Sequence, residues 1–201
     1  FAGCTALETV IIPTAVVTVA TDAFHDCTSL LRCHISTGDV DANGNYDMSS
    51  SHDQISAFYF YECGSFLKTV TIPSSVLTIQ YGSFYGTSME SLDIPTTVQD
   101  IGYDVFVNTP IKSLVVNSKS IGERWFEGIK TTLVDLTLGS NVSFIEAKAF
   151  QEYRRLRTVM IGSKNSLSSA VTLETNAFAD CTEMTSMQIN AITLTSEAGA
   201  V

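Results

Sequence analysis

Residues 84–106 read FYGTSMESLDIPTTVQDIGYDVF, and closely similar phrases occupy residues 60–84 and 1–24. Each phrase begins with Phe, runs through spaced apolar residues to Ile-Pro, and reaches the next Phe after a second pair of Val or Ile. Self-similarity at a fixed period of this length is typical of a solenoid. The sequence therefore predicts an elongated domain in which neighbouring repeats bury one another's apolar faces.

The repeat phenylalanines set the boundaries of the predicted repeats. They are Phe1, Phe24, Phe60, Phe84, Phe106, Phe126, Phe150 and Phe178, separated by 23, 36, 24, 22, 20, 24 and 28 residues. A period near 23 lies within the range of roughly 20–29 residues found in leucine-rich repeats. We predict a single leucine-rich-repeat solenoid spanning residues 1–201, with about eight repeats and an inserted loop at residues 37–53.

A strand phrase, L-x-x-V-x-I, recurs inside each repeat, for example as Leu67, Val70 and Ile72. Its last two apolar positions alternate with a polar residue, which is the spacing of a β-strand. Pro or Gly follows in most repeats and ends the strand. One such strand per repeat predicts a β-rich solenoid with a parallel sheet on its concave face. Short strands, turns or 3-10 segments are expected on the other side.

The residues that alternate with the apolar positions should point outward from this sheet. Concave faces of solenoids are their usual binding surfaces. The predicted binding residues are therefore Arg32, His34, Thr69, Thr71, Ser91, Asp93, Asp135, Thr137, Thr158 and Met160. The alternative is that Thr, Ser and Val simply suit an exposed sheet. No aromatic cluster marks the face, which argues against a tight hydrophobic interface there.

The full pattern, F-x-x-C-x-x-L-x-x-V-x-I-P-x-x-V-x-x-I-x-x-x-A-F, resembles the BspA-like class of leucine-rich repeats over essentially the whole chain. The resemblance implies a non-catalytic protein-binding or cell-adhesion module, secreted or at the cell surface. Its partner would be a protein or a surface glycan. The rival hypothesis is a structural subunit or spacer in a larger assembly, with an intracellular or organellar placement. Cys is missing at its expected place after Phe84, Phe106, Phe126 and Phe150.

The longest repeat contains an acidic insertion that resembles the calcium loops of EF-hand and dockerin type. Calcium prefers six to eight oxygen ligands from alternate loop positions around a Gly-enabled turn. The predicted metal ligands are the side chains of Asp39, Asp41, Asn43 and Asp47 with the backbone carbonyl of Asn45. Ser50 replaces the usual bidentate Glu at position 12. The alternative is a solvated acidic loop with a turn at Asn43-Gly44.

Four of the five cysteines, Cys4, Cys27, Cys63 and Cys181, lie three residues after a repeat Phe. We interpret them as small buried side chains, because free Cys is among the most buried residue types. A metal site or a disulfide between adjacent repeats is the alternative. Cys33 replaces an aliphatic residue of the strand phrase and is predicted to be core.

Composition limits the remaining function classes. The net charge of −10 disfavours nucleic acid and fits a cationic ligand, a basic protein surface or Ca²⁺. No apolar run approaches the roughly 20 residues needed to span a membrane. No nucleophile elbow, phosphate loop or paired acid and base is present, so we predict a protein without enzymatic activity. The chain begins on a repeat Phe rather than Met, which indicates a fragment or a mature piece.

Overall fold

The computed structural model describes residues 1–13, 23–30, 32–36, 54–55, 60, 67–72, 74, 76–162 and 168–196. These residues form a parallel β-solenoid in which two stacks of strands enclose one apolar core. The predicted fold class is therefore confirmed. The predicted calcium ligands lie outside the described residues.

The first stack, here called the main sheet, takes one strand from each repeat. Its strands are β1 (Thr9–Pro13), β2 (Arg32–Ser36), β4 (Thr69–Thr71), β6 (Ser91–Ile94), β8 (Ser113–Val116), β10 (Asp135–Leu138), β12 (Thr158–Ile161) and β14 (Ser186–Ile189). Every pairing within it is parallel. In β6, Leu92 and Ile94 are buried while Ser91 and Asp93 are exposed, as the alternation in the sequence predicts.

The second stack crosses back behind the core. It contains β3 (Gln54–Ile55), β5 (Thr78–Ile79), β7 (Asp100–Ile101), β9 (Ser120–Ile121), β11 (Phe144–Ile145), β13 (Ser168–Leu173) and β15 (Ala191–Ser196). Its pairings are also parallel. One turn of 3-10 helix, Glu127–Ile129, lies in the repeat of Phe126. The sequence-level phrases Val76/Ile79 and Val98/Ile101 coincide with β5 and β7.

A ladder of stacked phenylalanines runs through the core between the two stacks. It contains all eight repeat phenylalanines. Consecutive ring centroids are separated by 5.1 Å (Phe150 to Phe178) to 6.1 Å (Phe24 to Phe60). Every ring except Phe1 is buried. Offset-stacked aromatic pairs add to the large apolar area that each ring removes from water. The ladder therefore ties every repeat to the next.

Left-handed backbone positions flank these phenylalanines. Positive φ angles occur two residues before a ladder Phe at Gly82, Asp104, Lys148 and Asn176, and two residues after one at Gly3, Asp26, Gly86, Asn108, Glu152 and Asp180. Gly, Asn and Asp adopt this region at low cost. The turns that carry each Phe into the core therefore account for the recurrence of these residue types around it.

Among the described strands, each stack is interrupted once, and the two interruptions lie at different places. In the main sheet, β4 ends one hydrogen-bonded sheet and β6 begins the next; in the second stack, the interruption falls between β7 and β9. In the later repeats, the residue after the strand donates its N–H to the strand before, as Gly139 does to Val116 at 2.8 Å and Gly162 to Leu138 at 2.8 Å. Pro95 occupies this position after β6 and has no N–H to donate. The proline therefore removes one bond that joins neighbouring repeats elsewhere.

Candidate functional site on the main sheet

The outward-facing residues of the main sheet form two straight columns. In one column, Ser91, Ser113, Asp135, Thr158 and Ser186 occupy successive register positions. In the other, Asp93 is followed by Val115, Thr137, Met160 and Gln188. Parallel pairing without a slip produces these columns, because a one-residue shift would turn every side chain to the opposite face.

Six of the ten predicted binding residues fall in these columns, and the other four lie on β2 and β4. Arg32 pairs in register with Thr69, and His34 pairs with Thr71, which places their backbones side by side in β2 and β4. Thr69, Thr71, Ser91, Asp93, Asp135 and Thr158 are exposed, and Thr137 and Met160 are half-buried. The Thr158 hydroxyl donates to the Asp135 carboxylate. The structure thus describes eight of these side chains on the main sheet, and the use of the predicted residues in binding stays a prediction.

A cleft opens on this face where the main sheet is interrupted between β4 and β6. It has a volume of about 450 Å³ and is lined by four of the predicted residues, Thr69, Thr71, Ser91 and Asp93. Val70, Ile72, Leu92, Pro95 and Asn117 complete the lining. The Asn117 side-chain amide donates to the carbonyl of Ile94 at 3.3 Å, and its backbone N–H donates to the same oxygen at 2.9 Å.

The chemistry of the cleft suits polar recognition. Three hydroxyl groups and one carboxylate lie above an apolar floor, so the site offers several acceptors and a single negative charge. Such a surface can accept hydrogen bonds from an amide, a sugar hydroxyl or a cationic side chain. The sequence analysis identified the hydroxyls and the carboxylate but missed the cleft itself.

Two of the cysteines that follow ladder phenylalanines form hydrogen bonds between repeats. The thiol of Cys27 donates to the carbonyl of Phe1 at 3.1 Å, and the thiol of Cys181 donates to the carbonyl of Phe150 at 3.2 Å. Thr109, at the same repeat position, donates its hydroxyl to the carbonyl of Phe84 at 3.1 Å. A small side chain with one donor therefore joins each of these repeats to the one before.

Burial keeps these thiols protonated. It raises the pKa of Cys27, and it raises the pKa of Cys181 to about 11. Cys4, Cys27 and Cys181 all carry free thiols; Cys27 is buried as predicted and Cys181 is half-buried, but the prediction is wrong for Cys4, which is exposed in the first repeat. Since the thiolate is the nucleophile and the metal ligand, Cys27 and Cys181 are poorly suited to either use. Among the residues that the structure describes, no group of three or more His, Cys, Asp or Glu is placed to hold a metal ion.

Comparison with known proteins now identifies the repeat. The model of the BspA-type leucine-rich repeat region matches residues 1–52 and 105–198 with six copies. The chain belongs to the BspA-type leucine-rich-repeat family. No curated protein matches the chain.

Two solved structures of bacterial leucine-rich-repeat proteins align with this chain. A leucine-rich repeat protein from Eubacterium ventriosum aligns with a TM-score of 0.60 at 21% identity, over 96% of this chain and 57% of its own. A second, from Bacteroides ovatus, aligns with a TM-score of 0.48 at 18% identity, over 98% of this chain and 65% of its own. This BspA-type chain therefore spans less than two thirds of the length of either protein. The first likeness supports the fold alone.

Charge is distributed unevenly along this BspA-type solenoid. Residues 1–111 contain 12 Asp and Glu against two Lys and Arg, a net charge of −10, while residues 112–201 contain nine of each and are neutral. We refer to these as the acidic region and the neutral region. The cleft residues Thr69 to Pro95 lie in the acidic region. Within the part of the chain that the structure describes, no helix is long and apolar enough to cross a bilayer.

Proposed function

We propose that the chain is a non-catalytic recognition module that binds a protein partner through the main-sheet face, centred on the cleft between β4 and β6. The observation that carries the proposal is the column of exposed polar side chains, Ser91, Ser113, Asp135, Thr158 and Ser186, that begins at the cleft. Family membership supports an interaction role, since leucine-rich-repeat solenoids present extended sheets to their partners. Placement outside the cell, implied by the family resemblance, belongs to the same proposal.

The face is built as a rigid platform. The strands below it are fixed by parallel ladders, and the inward residues Leu92, Leu114, Leu136 and Val159 are buried beneath the columns. Binding to a rigid surface loses little conformational entropy at the surface itself. The exposed Ser, Thr and Asp side chains then supply the hydrogen-bonding groups that give a partner its orientation.

A non-catalytic role also fits the chemistry of the described residues. The thiols of Cys27 and Cys181 are held protonated against backbone carbonyls, which removes two potential nucleophiles. The cleft holds one carboxylate, Asp93, whereas general acid–base chemistry usually employs a pair of titratable groups. Recognition needs only the donors and acceptors that the cleft provides.

The test begins with site-specific photocrosslinking. A photoreactive amino acid at Thr71 lies on the cleft, and one at Thr5 lies outside the main sheet on an exposed turn. Both proteins are exposed to an extract of the source cells and to their growth medium. We expect a discrete crosslinked protein from position 71 and none of the same mass from position 5. Equal labelling from both positions would contradict recognition by the main sheet.

A second experiment measures the affinity for the crosslinked partner with a cleft variant and a matched control variant. Thr71→Ala with Asp93→Ala removes one hydroxyl and one carboxylate from the cleft, and Thr5→Ala with Glu8→Ala removes the same groups elsewhere in the acidic region. Affinity for the crosslinked partner should fall for the cleft variant and stay unchanged for the control. A loss of roughly tenfold corresponds to about 1.4 kcal/mol, a size common for one central polar contact.

A further inference from the structure

Two exposed tyrosines, which follow strands β5 and β7 of the second stack, form a small ledge. Tyr81 is 39% exposed and Tyr103 is 65% exposed, and both precede a ladder Phe by three residues. Their rings meet edge to face, with centroids 5.9 Å apart and an interplanar angle of 65°. In the next three repeats the same position holds Glu123, Ala147 and Thr175, so this aromatic pair does not continue into the neutral region.

The backbone holds the two rings together. Gly102 donates its N–H to Ile79 at 2.8 Å, and Gly82 donates to the carbonyl of Tyr103 at 3.3 Å. A Cβ on Gly102 would lie 2.7 Å from the backbone nitrogen of Tyr81, closer than such atoms approach. Glycine at position 102 therefore allows the two repeats to approach as closely as the paired rings require.

Carboxylates lie beside the ledge in the chain, and Arg124, which interacts electrostatically with Asp104, is already bonded to Glu127. Asp100 is exposed on β7, and Asp104, also exposed, follows Tyr103 directly. The sequence contains no Lys or Arg between Lys68 and Lys112. The next cation after Asp104 in its repeat column is Arg124, whose guanidinium is bound to Glu127 at 3.0 Å.

We infer that this ledge, formed by Tyr81 and Tyr103 with Asp100 and Asp104, binds an Arg- or Lys-bearing segment of a protein partner. The aromatic faces attract a cation through their quadrupole, and Arg stacks on them as well. The carboxylates and the net charge of −10 in the acidic region draw the same cation by longer-range attraction. The ledge lies outside the main sheet, so the inference goes beyond the proposed function.

The probe is a fluorescent peptide of alternating Arg and Gly, titrated with the full chain and followed by anisotropy at low ionic strength. An alternating Glu and Gly peptide serves as the charge control and should not bind. Replacing both tyrosines by Leu keeps the apolar area but removes the aromatic faces. We expect Tyr81→Leu with Tyr103→Leu to weaken binding by roughly tenfold, at about two- to fivefold for each ring.

Two further variants separate the ledge from diffuse attraction. Tyr81→Phe with Tyr103→Phe keeps the rings and should keep the affinity. Asp104→Asn at the ledge should weaken binding more than Asp93→Asn in the cleft, although both remove one charge from the acidic region. Asn is suited to position 104, where φ is 57°, since Asn108 adopts a φ of 58°. Circular dichroism and thermal unfolding confirm that each variant is folded.

Each result of these titrations either supports the ledge as the cation site or overturns it. Failure of the Arg peptide to bind, or unchanged affinity in the Leu variant, would overturn the inference. If Asp93→Asn weakens binding and the Leu variant does not, the cleft takes the cation, and the ledge inference fails while the proposed function stands. Self-association in sedimentation velocity that is lost in the Leu variant would make a second copy the occupant. Binding of an uncharged oligosaccharide, lost in the same variant, would make the ledge a glycan site.

Discussion

The acidic region and the neutral region are built on the same repeat and present different surfaces. Both contribute ladder phenylalanines, main-sheet strands and second-stack strands in parallel register. One carries a net charge of −10 and the other a net charge of zero. The apolar positions of the repeat therefore determine the fold, while the positions between them are free to differ. The recognition proposed above uses residues that the repeat does not specify.

Ion pairs between neighbouring repeats occur within the neutral region. The neutral region holds Lys130 against Glu152 at 3.1 Å and Arg157 against Glu183 at 3.0 Å, and each pair joins neighbouring repeats. Exposed pairs of this kind contribute only about 0–1 kcal/mol each. These pairs place opposite charges side by side in the neutral region, whereas residues 69–111 contain no Lys or Arg.

The largest effect should come from breaking the ladder at equivalent points in the two regions. Phe84→Ala in the acidic region and Phe150→Ala in the neutral region each remove a fully buried ring stacked on both sides. Each should lower the free energy of unfolding by about 3–5 kcal/mol, from lost burial and the cavity left behind. Urea unfolding measures both. Losses that differ by more than about 2 kcal/mol would show that the regions do not share equivalent cores.

A smaller effect should come from calcium, and only in the acidic region. We predict that Ca²⁺ raises the thermal unfolding temperature relative to EGTA through Asp39, Asp41, Asn43, Asn45 and Asp47. At a hundredfold excess over the dissociation constant the stabilisation is about 2.7 kcal/mol. The variant Asp39→Ala with Asp41→Ala should lose the shift, while Asp135→Ala in the neutral region should keep it. No shift at millimolar Ca²⁺ in the unmodified chain would remove the metal hypothesis.

The smallest effect concerns the buried thiols. Because the pKa of Cys181 is raised to about 11, its thiol stays protonated in the folded state at pH values where an unfolded cysteine ionises. The folded state then binds more protons than the unfolded state, so this contribution to stability is complete below about pH 8.5 and is lost as pH rises toward 11. Cys27, whose pKa is also raised, should follow in the same direction.

Alkylation at pH 8, read by mass spectrometry of the cysteine-containing peptides, checks this prediction. In the folded protein, Cys4 is exposed and should react at least roughly tenfold faster than Cys181, since rate follows the thiolate fraction and access. In urea the rates should converge. Equal rates in the folded state would contradict the burial of the Cys181 thiol. Comparing Cys27 with Cys181 then shows whether the two regions protect this position alike.

Much of the fold could be predicted because the repeat fixes both periodicity and register. The L-x-x-V-x-I phrase placed Leu92 and Ile94 inside and Ser91 and Asp93 outside, and the structure shows that arrangement. The phenylalanine spacing marked the repeat boundaries, and the rings that define it stack on one another in the structure. These features depend on burial of apolar side chains, which local pattern records directly.

The parts that escaped prediction depend on contacts between repeats. The cleft forms where β4 and β6 lie side by side without strand pairing, which no single repeat reveals. The pairing of Tyr81 with Tyr103 likewise requires the close approach at Gly102. Strand β15 lies beyond the final L-x-x-V-x-I phrase and was not predicted, although its alternation of Ile and Leu with Thr is typical of a strand.

The two interruptions of strand pairing lie one repeat apart along the solenoid. Where β4 and β6 part, β5 and β7 behind them remain paired, and where β7 and β9 part, β6 and β8 remain paired. The phenylalanine ladder crosses both places through Phe60, Phe84 and Phe106. At each junction between these repeats, at least one pair of strands is therefore hydrogen-bonded. Paired strands on the opposite side of the core hold the two repeats together at each interruption, so the main sheet can open into a cleft without separating them.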